Sequence, residues 1–194
     1  MNFLSEKLKK YCIGIAGVGG LGSNCAVSLA RIGIGKIVIA DYDIVSKSDL
    51  NRQYYFLDQI KEKKVLALKE NISKINPDVE IYAYDLKLNS DEIIKIFKDC
   101  DVIVEAVDLA ETKQMIIETI LSQMPDKYIV SGLGIAGYGK NIEIKTRKID
   151  KLYICGDEKT EISEINPPLA PKVGIVANMQ ANQVIEIVLD ILKK

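Results

Sequence analysis

Apolar and polar positions alternate in blocks along the chain, and each block has the period of either a buried strand or a helix. Short apolar runs predict strands at 11–16, 36–40, 79–84, 102–107 and 128–131. Stretches with helical spacing lie between them, at 23–32, 60–75, 90–98 and 111–124. This alternation predicts a Rossmann-like, doubly wound α/β fold whose mostly parallel sheet is covered on both faces.

The final third of the chain has a different pattern. Residues 141–149 alternate apolar with charged side chains, which is typical of a half-solvated antiparallel strand, so we expect a C-terminal hairpin or added edge strand. An acidic, proline-bearing stretch at 155–172 precedes an amphipathic helix at 173–192. No internal repeat or boundary divides the chain, so we expect one domain over 1–194.

The overall charge of the chain is close to neutral. Lys and Arg number 26 against 27 Asp and Glu, a net charge of −1, so no global field favours nucleic acid or an anionic membrane as a partner. Residues 1–10 lack the apolar core of a signal peptide, and no apolar stretch approaches the about 20 residues of a membrane span. We therefore expect a cytoplasmic protein that holds any anionic ligand locally.

Cysteine and histidine usage limits the chemistry further. The four cysteines form no CxxC pair, so neither structural zinc nor a disulfide framework is expected. Cys12, Cys25 and Cys100 have the surroundings of core residues, and Cys155 has no basic cluster beside it to lower its pKa. Histidine is absent, which removes the commonest general base and every Ser–His or Cys–His nucleophile.

A glycine cluster lies between the first predicted strand and the first predicted helix. The spacing Gly17-x-Gly19-x-x-Gly22, with Gly20 inside it, lets backbone N–H groups and the positive helix end approach a polyphosphate. Asp41 ends the next strand, where a carboxylate can accept hydrogen bonds from ribose hydroxyls. The simpler explanation, that the glycines only permit tight packing, fits this context less well than a nucleotide site.

These features alone also describe an NAD-dependent oxidoreductase. The segment after Asp41 favours a different chemistry, because it carries Arg52-Gln53 and then Lys64, residue types that bind phosphate. Arg52 could instead form a surface ion pair, and Lys64 belongs to a lysine-rich helix face that could simply be solvated. A third hypothesis is a module that senses a nucleotide by binding it and catalyses no reaction.

Four separated motifs resemble one family. They are GVGGLGS at 17–23, DYDIVSKSDLNRQ at 41–53, KVLALKENISKINP at 64–77 and APKVGIVANMQANQVIE at 170–186. Together they resemble the ThiF/MoeB/HesA family, whose adenylation fold is shared with the ubiquitin-activating enzymes. The segments NRQYYFL and NPPLAP resemble the short ThiF-type proteins linked to thiamine biosynthesis.

The resemblance implies an ATP- and Mg-dependent adenylyltransferase that activates the terminal glycine carboxylate of a ThiS-like, ubiquitin-like sulfur carrier with a Gly-Gly tail. It also implies a homodimer. A molybdopterin-type carrier or a tRNA carboxylate are alternative substrates of the same chemistry. Asp108 matches the family's Mg-binding aspartate, although it could also cap the following helix. The implied nucleotide-binding residues are Gly17, Gly19, Gly20, Gly22, Asp41, Ser48, Asp49, Asn51, Arg52, Gln53 and Lys64.

The chain departs from the family pattern at four points. Asp49 and Leu109 each stand where the family motif has Asn. No Arg precedes the glycine loop, and the paired CxxC zinc ligands of larger relatives are missing.

The residue types suit adenylation without imidazole. A carboxylate is already ionised at pH 7, so the reaction needs no general base, only neutralisation and alignment of two anions. Arg52, Lys64 and Mg at Asp108 are the groups expected to provide it. We also expect 132–139 and the acidic loop to form a channel for an extended Gly-Gly tail.

Overall fold

One seven-stranded sheet organises residues 3–192, the part of the chain that this computed structural model describes. The strands are β1 Cys12–Ala16, β2 Lys36–Asp41, β3 Glu80–Asp85, β4 Val102–Glu105, β5 Tyr128–Gly132, β6 Lys145–Ile149 and β7 Leu152–Gly156. Their order is β3-β2-β1-β4-β5-β7-β6, and the neighbours pair in parallel except for β6, which runs antiparallel to β7. The predicted Rossmann-like sheet with an antiparallel C-terminal extension is confirmed.

Helices cover both faces of the sheet. They are α1 Phe3–Leu8, α2 Gly20–Ile32, α3 Lys64–Ile75, α4 Ser90–Phe97, α5 Ala110–Gln123 and α6 Ala170–Glu186, which continues as a π-helical stretch at Ile187–Leu192. Helices α2, α3 and α6 pack on one face, and α4 and α5 pack on the other. The strand order reverses between β1 and β4, so a crevice opens there at the carboxyl ends of the strands.

Alternation along β1 explains why both faces are buried. Ile13 and Ile15 pack with α2 and α6, whereas Cys12 and Ala16 face the α4 and α5 side. Gly14 also faces α4, and a Cβ there would lie 2.6 Å from a ring carbon of Phe97. A glycine at this position therefore lets the Phe97 ring lie directly against the strand.

Several helices begin away from their predicted starts: α1 was not predicted, and α6 begins at Ala170 instead of 173. The starts of α2 and α3 also differ. Helix α2 begins at Gly20, inside the glycine cluster, three residues before the predicted start. Helix α3 begins at Lys64 instead of residue 60, because the preceding residues pair with the chain after β2. Ile44 and Lys63 form an antiparallel bridge, and the Lys61 N–H donates to the Val45 carbonyl at 2.9 Å. This pairing keeps residues 61–63 out of the helix, although they lie within a stretch that has helical spacing.

The predicted C-terminal hairpin forms as β6 and β7, but its bounds differ from those expected. Residues 141–149 do not form one strand, because Asn141–Glu143 is a 3₁₀ turn and β6 begins at Lys145. The buried strand β7 follows and extends the parallel sheet beside β5. The edge strand β6 is exposed along its whole length, which its Lys and Arg side chains suit.

One expectation about apolar segments is wrong. Residues Ala170–Leu192 form a 23-residue helical stretch that contains an 18-residue window of mean hydropathy 1.3, so it is long and apolar enough to cross a membrane by length and composition. Packing accounts for this composition, because Val173, Val176 and Val184 are fully buried in the core against α2 and the sheet. A helix that completes a core passes the same test of length and hydropathy.

The close contact between α2 and the glycine loop gives a first prediction. A Cβ at Gly22 would collide with the carbonyl oxygen of Gly17, a backbone atom that cannot rotate away. We expect Gly22→Ala to lower the free energy of unfolding by about 1–3 kcal/mol or more, measured by urea denaturation. Gly174→Ala is the matched control, because a Cβ at this α6 position meets nothing within 4 Å. It should raise stability by up to about 1 kcal/mol, and equal losses in both variants would contradict the packing argument.

Candidate functional site

An open cleft of about 720 Å³ lies at the carboxyl ends of the strands, where the strand order reverses. Nine of the twelve residues selected from the sequence line it: Gly17, Gly19, Gly20, Asp41, Asn51, Arg52, Gln53, Lys64 and Asp108. Gly22, Ser48 and Asp49 lie outside the lining. The cleft therefore brings together residues from four separate segments of the chain.

The glycine loop joins β1 to α2 by a close approach to β4. Gly17 has φ +86°, and a Cβ there would lie 2.9 Å from the Ala106 carbonyl oxygen. Gly19 is the N-cap of α2 and supplies no side-chain cap. The first N–H groups of α2 therefore face the cleft side without a covering side chain, which is the geometry that binds anions at helix N-termini.

Asp41 connects the end of β2 to this loop. One carboxylate oxygen accepts the Val18 N–H at 2.7 Å, and the other accepts the Asp43 N–H at 2.9 Å. Burial raises the pKa of the Asp41 carboxyl above its ordinary value, and these two backbone hydrogen bonds only partly oppose the shift. Each oxygen keeps a lone pair, so the carboxylate can still accept hydrogen bonds from a ligand hydroxyl.

Asp49 organises the turn after β2 from behind the cleft. It accepts hydrogen bonds from the Ser46 N–H at 2.9 Å and from the Gln53 amide at 2.8 Å. Ser46 and Asp49 together form a capping box for the 3₁₀ turn Lys47–Asn51. Ser48 is exposed on the same turn, and its carbonyl accepts a bond from Arg52 at 3.1 Å. Both residues therefore position the lining rather than form it.

Two cations of the cleft have different partners. The Lys64 side chain is 6% exposed, and its Nζ lies 2.8 Å from the Asp43 carboxylate and 3.9 Å from that of Asp49. Arg52 donates to two neutral oxygens, the Ser48 carbonyl and the Asn51 side chain, the latter at 2.8 Å. The Arg52 guanidinium thus keeps donors for an incoming anion.

Gln53 presents an unmatched polar atom beside the glycine loop. Its Nε2 donates to Asp49, whereas its buried Oε1 has no hydrogen-bond partner among the residues described. Buried polar atoms are normally paired, so this amide oxygen is an unsatisfied acceptor within the cleft wall.

Asp108 lies exposed after β4 and faces the cleft. Leu109, not Asp108, occupies the N-cap position of α5. Within residues 3–192 no group of three or more His, Cys, Asp or Glu side chains is arranged to hold a metal ion. A Mg²⁺ that arrives with a nucleotide needs only one or two carboxylates besides phosphate oxygens and water, and Asp108 fits that limited requirement.

A buried ion pair that sequence reasoning missed supports the cleft floor. The fully buried Glu105 carboxylate binds Lys113, which lines the cleft and also donates to the Gly132 carbonyl at 3.0 Å. Ser131 donates to the same carboxylate at 2.6 Å. The available signal was a single acid within the apolar run 102–107, since a buried charge requires a partner.

A second missed pair fixes the loop after β7. Lys172 on α6 binds the Asp157 carboxylate at 2.7 Å, and both side chains are buried. Burial acts to raise the pKa of Asp157, but the hydrogen bonds from Lys172, Thr160 and Lys159 outweigh it and hold this pKa far below its usual range. The sequence feature that could have revealed this pair is Lys172 itself, a single lysine among the apolar residues at the start of the last helix.

All four cysteines are free and buried, and none lines the cleft. The Cys12 and Cys100 sulfurs lie 3.6 Å apart between β1 and the end of α4. Burial raises the pKa of Cys155, which contacts the Thr146 hydroxyl at 3.5 Å. A protonated, enclosed thiol is a poor nucleophile, which agrees with the absence of a basic cluster beside Cys155 in the sequence.

A glycine loop at a helix N-terminus, an acid after the second strand and cations on the facing loop are chemical features suited to a nucleoside phosphate. Fold and cleft together define the class of Rossmann-like α/β proteins with a glycine-rich binding loop. The family model described as ThiF family matches residues 4–194. The chain belongs to the ThiF family, as its motifs had indicated.

Curated relatives are longer than this chain. Adenylyltransferase and sulfurtransferase UBA4 of Candida albicans is 30% identical over 190 residues, which cover 94% of this chain and 43% of that protein. Ubiquitin-like modifier-activating enzyme 5 of Oryza sativa is 25% identical over 185 residues, which cover 89% of this chain and 44% of that protein. The chain thus spans less than half the length of these relatives.

Solved structures share the fold at low sequence identity. Escherichia coli tRNA N6-threonylcarbamoyladenosine dehydratase, TcdA, in complex with AMP superposes with a TM-score of 0.88 at 17% identity, covering 100% of this chain and 92% of that one. Escherichia coli MccB with ATP gives a TM-score of 0.72 at 23% identity, covering 95% and 57%. These similarities establish the architecture, in agreement with the strand order.

The raised pKa of Asp41 gives a prediction for ligand binding. If the carboxylate accepts ribose hydroxyls, protonation removes the acceptor, so affinity should fall as the pH falls. Because the pKa is raised, the midpoint of this loss should lie above about 3.9, the ordinary value for Asp. Calorimetric titration with adenosine avoids the titration of phosphate groups. Asp41→Asn should bind more weakly and without this pH dependence, and an unchanged profile would contradict the assignment.

The enclosure of the thiols gives a second prediction. Iodoacetamide should modify Cys155 in the native protein at least about 100-fold more slowly than in guanidinium-unfolded protein, because reaction requires local opening and a thiolate. Peptide mass spectrometry at timed intervals measures the rate for each cysteine, and Cys25 provides a buried reference in the same molecule. Rapid labelling of Cys155 alone would show that it is a reactive group.

Proposed function

We propose that the chain is an ATP-dependent adenylyltransferase that activates the C-terminal glycine carboxylate of a ThiS-like, ubiquitin-like sulfur carrier in thiamine biosynthesis. The observation that carries the proposal is the meeting of the glycine loop, Asp41, Arg52, Lys64 and Asp108 around one cleft. Family membership supports it, as do the names of the curated adenylyltransferase and modifier-activating relatives.

The proposed nucleotide orientation follows from the polarity of the cleft. The ribose hydroxyls donate to Asp41, which directs the phosphates toward the N-terminus of α2 and its uncovered N–H groups. Arg52 packs beside Gly20, the first residue of α2, so its free guanidinium donors bind the same phosphates. Asp108 would provide a carboxylate for Mg²⁺, and that ion would supply further charge neutralisation when bound.

The proposed chemical step balances without proton transfer. A carboxylate oxygen of the carrier attacks the α-phosphorus of ATP, a P–O bond forms to give the acyl-adenylate, and the bond to the leaving pyrophosphate breaks. Both reactants are anions, so the barrier depends on alignment and on neutralising charge that builds on the pyrophosphate. Arg52 performs most of this neutralisation, and Lys64 contributes the ammonium donors that its ion pair with Asp43 leaves free. No imidazole is required. Asp43 holds Lys64 in position through its 2.8 Å ion pair.

The proposed entry for the carrier tail lies between two backbone segments. Leu133 and Gly134 after β5 line the cleft together with Pro167 and Pro168 of the loop before α6. Gly134 has φ +77°, and the Asp157 carboxylate occupies the position where its side chain would stand, so Gly134 borders the slot with backbone alone. A slot bordered by backbone suits an extended Gly-Gly tail, because residues with side chains would not fit and backbone hydrogen bonds give affinity.

Carrier-dependent ATP–pyrophosphate exchange tests the proposal. With Mg²⁺ and a ThiS-like protein ending in Gly-Gly, we expect exchange that disappears when the last glycine is deleted. Arg52→Ala and Asp108→Ala should each reduce the exchange rate about 10²- to 10³-fold, the usual effect of losing one preorganised charge-stabilising contact. Arg31→Ala is the matched control, since Arg31 is an exposed arginine outside the cleft lining.

The substrates used in the assay separate the remaining possibilities. Exchange with a molybdopterin-type carrier or with a tRNA carboxylate, and none with a ThiS-like carrier, would retain the chemistry and replace the substrate. ATP binding without exchange for any of these carboxylates would favour a nucleotide sensor. Tight, Mg-independent NADH binding would favour an oxidoreductase, and either of these two outcomes would overturn the proposed function.

A further inference from the structure

A buried charge pair joins the C-terminal helix to both segments that border one side of the cleft. Lys172 of α6 is 3% exposed and Asp157 is 2% exposed. Besides Asp157, the Lys172 ammonium donates to the Ala136 carbonyl at 2.8 Å and to the Thr160 hydroxyl at 3.2 Å. Its three donors are thus shared between the chain after β5 and the chain after β7. We name Lys172, Asp157, Thr160 and the Ala136 carbonyl the latch.

Asp157 fixes the first turn of the loop that follows β7. One of its oxygens accepts the N–H groups of Lys159 and Thr160, each at 2.9 Å. The Thr160 hydroxyl also lies 2.9 Å from the oxygen that binds Lys172. A Cβ at Gly134 would collide with this carboxylate, so the absence of a side chain there admits Asp157. The latch therefore specifies the direction in which the loop leaves the sheet.

Further along, the same two segments pair through their backbones. Pro168 forms bridges with Ala136 and Gly137, and the Gly137 N–H donates to the Pro167 carbonyl at 3.0 Å. The residues of this loop that line the cleft are Thr160, Glu161, Ile162, Pro167 and Pro168. Lys172 and Asp157 are not among the lining residues, so they act on the cleft through Thr160 and the loop.

The latch is a buried ion pair, and this chemistry indicates that it holds the loop in one conformation rather than adding to the stability of the whole fold. Residues 161–165 are exposed, with Ile165 96% exposed, so the loop buries little apolar surface of its own. A buried ion pair is often no more stabilising than apolar residues of similar size, because both charges lose hydration. A directional pair can nevertheless hold one loop geometry that non-directional apolar contacts would leave unspecified.

We propose that Lys172 is a positioning residue: the latch holds the 157–168 loop as the wall that receives the carboxylate substrate's tail. The inference rests on the proposed function and adds a separable claim, that the latch sets affinity for the carboxylate substrate and leaves the nucleotide half of the site unaffected. The nucleotide half is formed by the glycine loop, Asp41 and Arg52. Within residues 3–192, no hydrogen bond or ion pair joins any of these to the latch.

Steady-state exchange kinetics test this separation. Lys172→Met should raise KM for the carrier at least about tenfold, while KM for ATP and kcat at saturating carrier change by less than about threefold, because only ground-state docking of the tail is weakened. Lys159→Met is the matched control, since its side chain is 75% exposed in the same loop, and its kinetics should equal wild type. Equal losses in both KM values, or in kcat alone, would overturn the proposal.

A double variant separates positioning from folding. Lys172→Met alone leaves a buried carboxylate without its partner and can destabilise the fold, whereas Lys172→Met with Asp157→Leu removes both charges. The double variant should recover a melting temperature near that of wild type and still show the raised carrier KM. Lys172→Arg keeps a charged donor and should restore part of the affinity. Recovery of carrier KM in the apolar double variant would overturn the positioning role.

Hydrogen exchange tests the latch without any assumption about activity. In the ligand-free protein, Lys172→Met should speed amide exchange in peptides covering 157–168 at least about tenfold, since the hydrogen bonds of the Lys159 and Thr160 N–H groups lose their support. The Gly137 N–H, which donates to the Pro167 carbonyl, should exchange faster in a peptide that covers Gly137. Unchanged exchange in the 157–168 peptides would overturn the latch itself. If wild type catalyses no pyrophosphate exchange with any carboxylate, the proposed function fails, and this measurement still decides whether the latch orders the loop.

Discussion

The site depends on how closely the backbone after β1 approaches α2 and β4. Gly17 lies with its Cα against the Ala106 carbonyl, and Gly22 lies against the Gly17 carbonyl, so any side chain at either position meets backbone rather than movable atoms. This contact places the first turn of α2 at the crevice between β1 and β4. Asp41 then completes the arrangement by accepting the Val18 N–H, which links the end of β2 to the loop. The helix N-terminus, the acid and the strand ends are therefore one connected unit.

The pattern of apolar and polar residues correctly predicted the elements that depend only on nearby residues. The first five strands appeared near their predicted bounds, because a buried parallel strand is a continuous apolar run between turn residues. The start of α3 was misplaced because the pairing of 61–63 with 43–45 involves residues distant in sequence and overrides their helical spacing. The separate strand β7 was not assigned, since its alignment beside β5 depends on a tertiary position that no periodicity encodes.

The same distinction applies to the cleft. Gly17 and Lys64 lie in two separate motifs, and Asp41 and Arg52 share the 41–53 motif, so it was the family resemblance that implied their meeting at one site. Asp49 looked like a lining residue because it lies inside that motif, but its carboxylate turns inward to the Ser46 and Gln53 donors. Lys113 and Lys172 were missed for the opposite reason. Each pairs with an acid on another element, and the sequence shows a lone charge among apolar residues without showing its partner.

The pairing of the lysines also explains how a chain of net charge −1 can offer an anion site. Lys64, Lys113 and Lys172 each have a carboxylate within 2.8 Å or closer, so each adds little net positive charge to the cleft. Arg52 differs, because its identified acceptors are neutral oxygens. The attraction for an anion therefore comes chiefly from Arg52 and the N-terminus of α2, which meet at Gly20. Lys87, which lines the cleft and lies over the Tyr42 ring, adds to it. The lysine pairs instead fix the geometry of the walls, which lets a nearly neutral protein concentrate positive potential where the backbone is least covered.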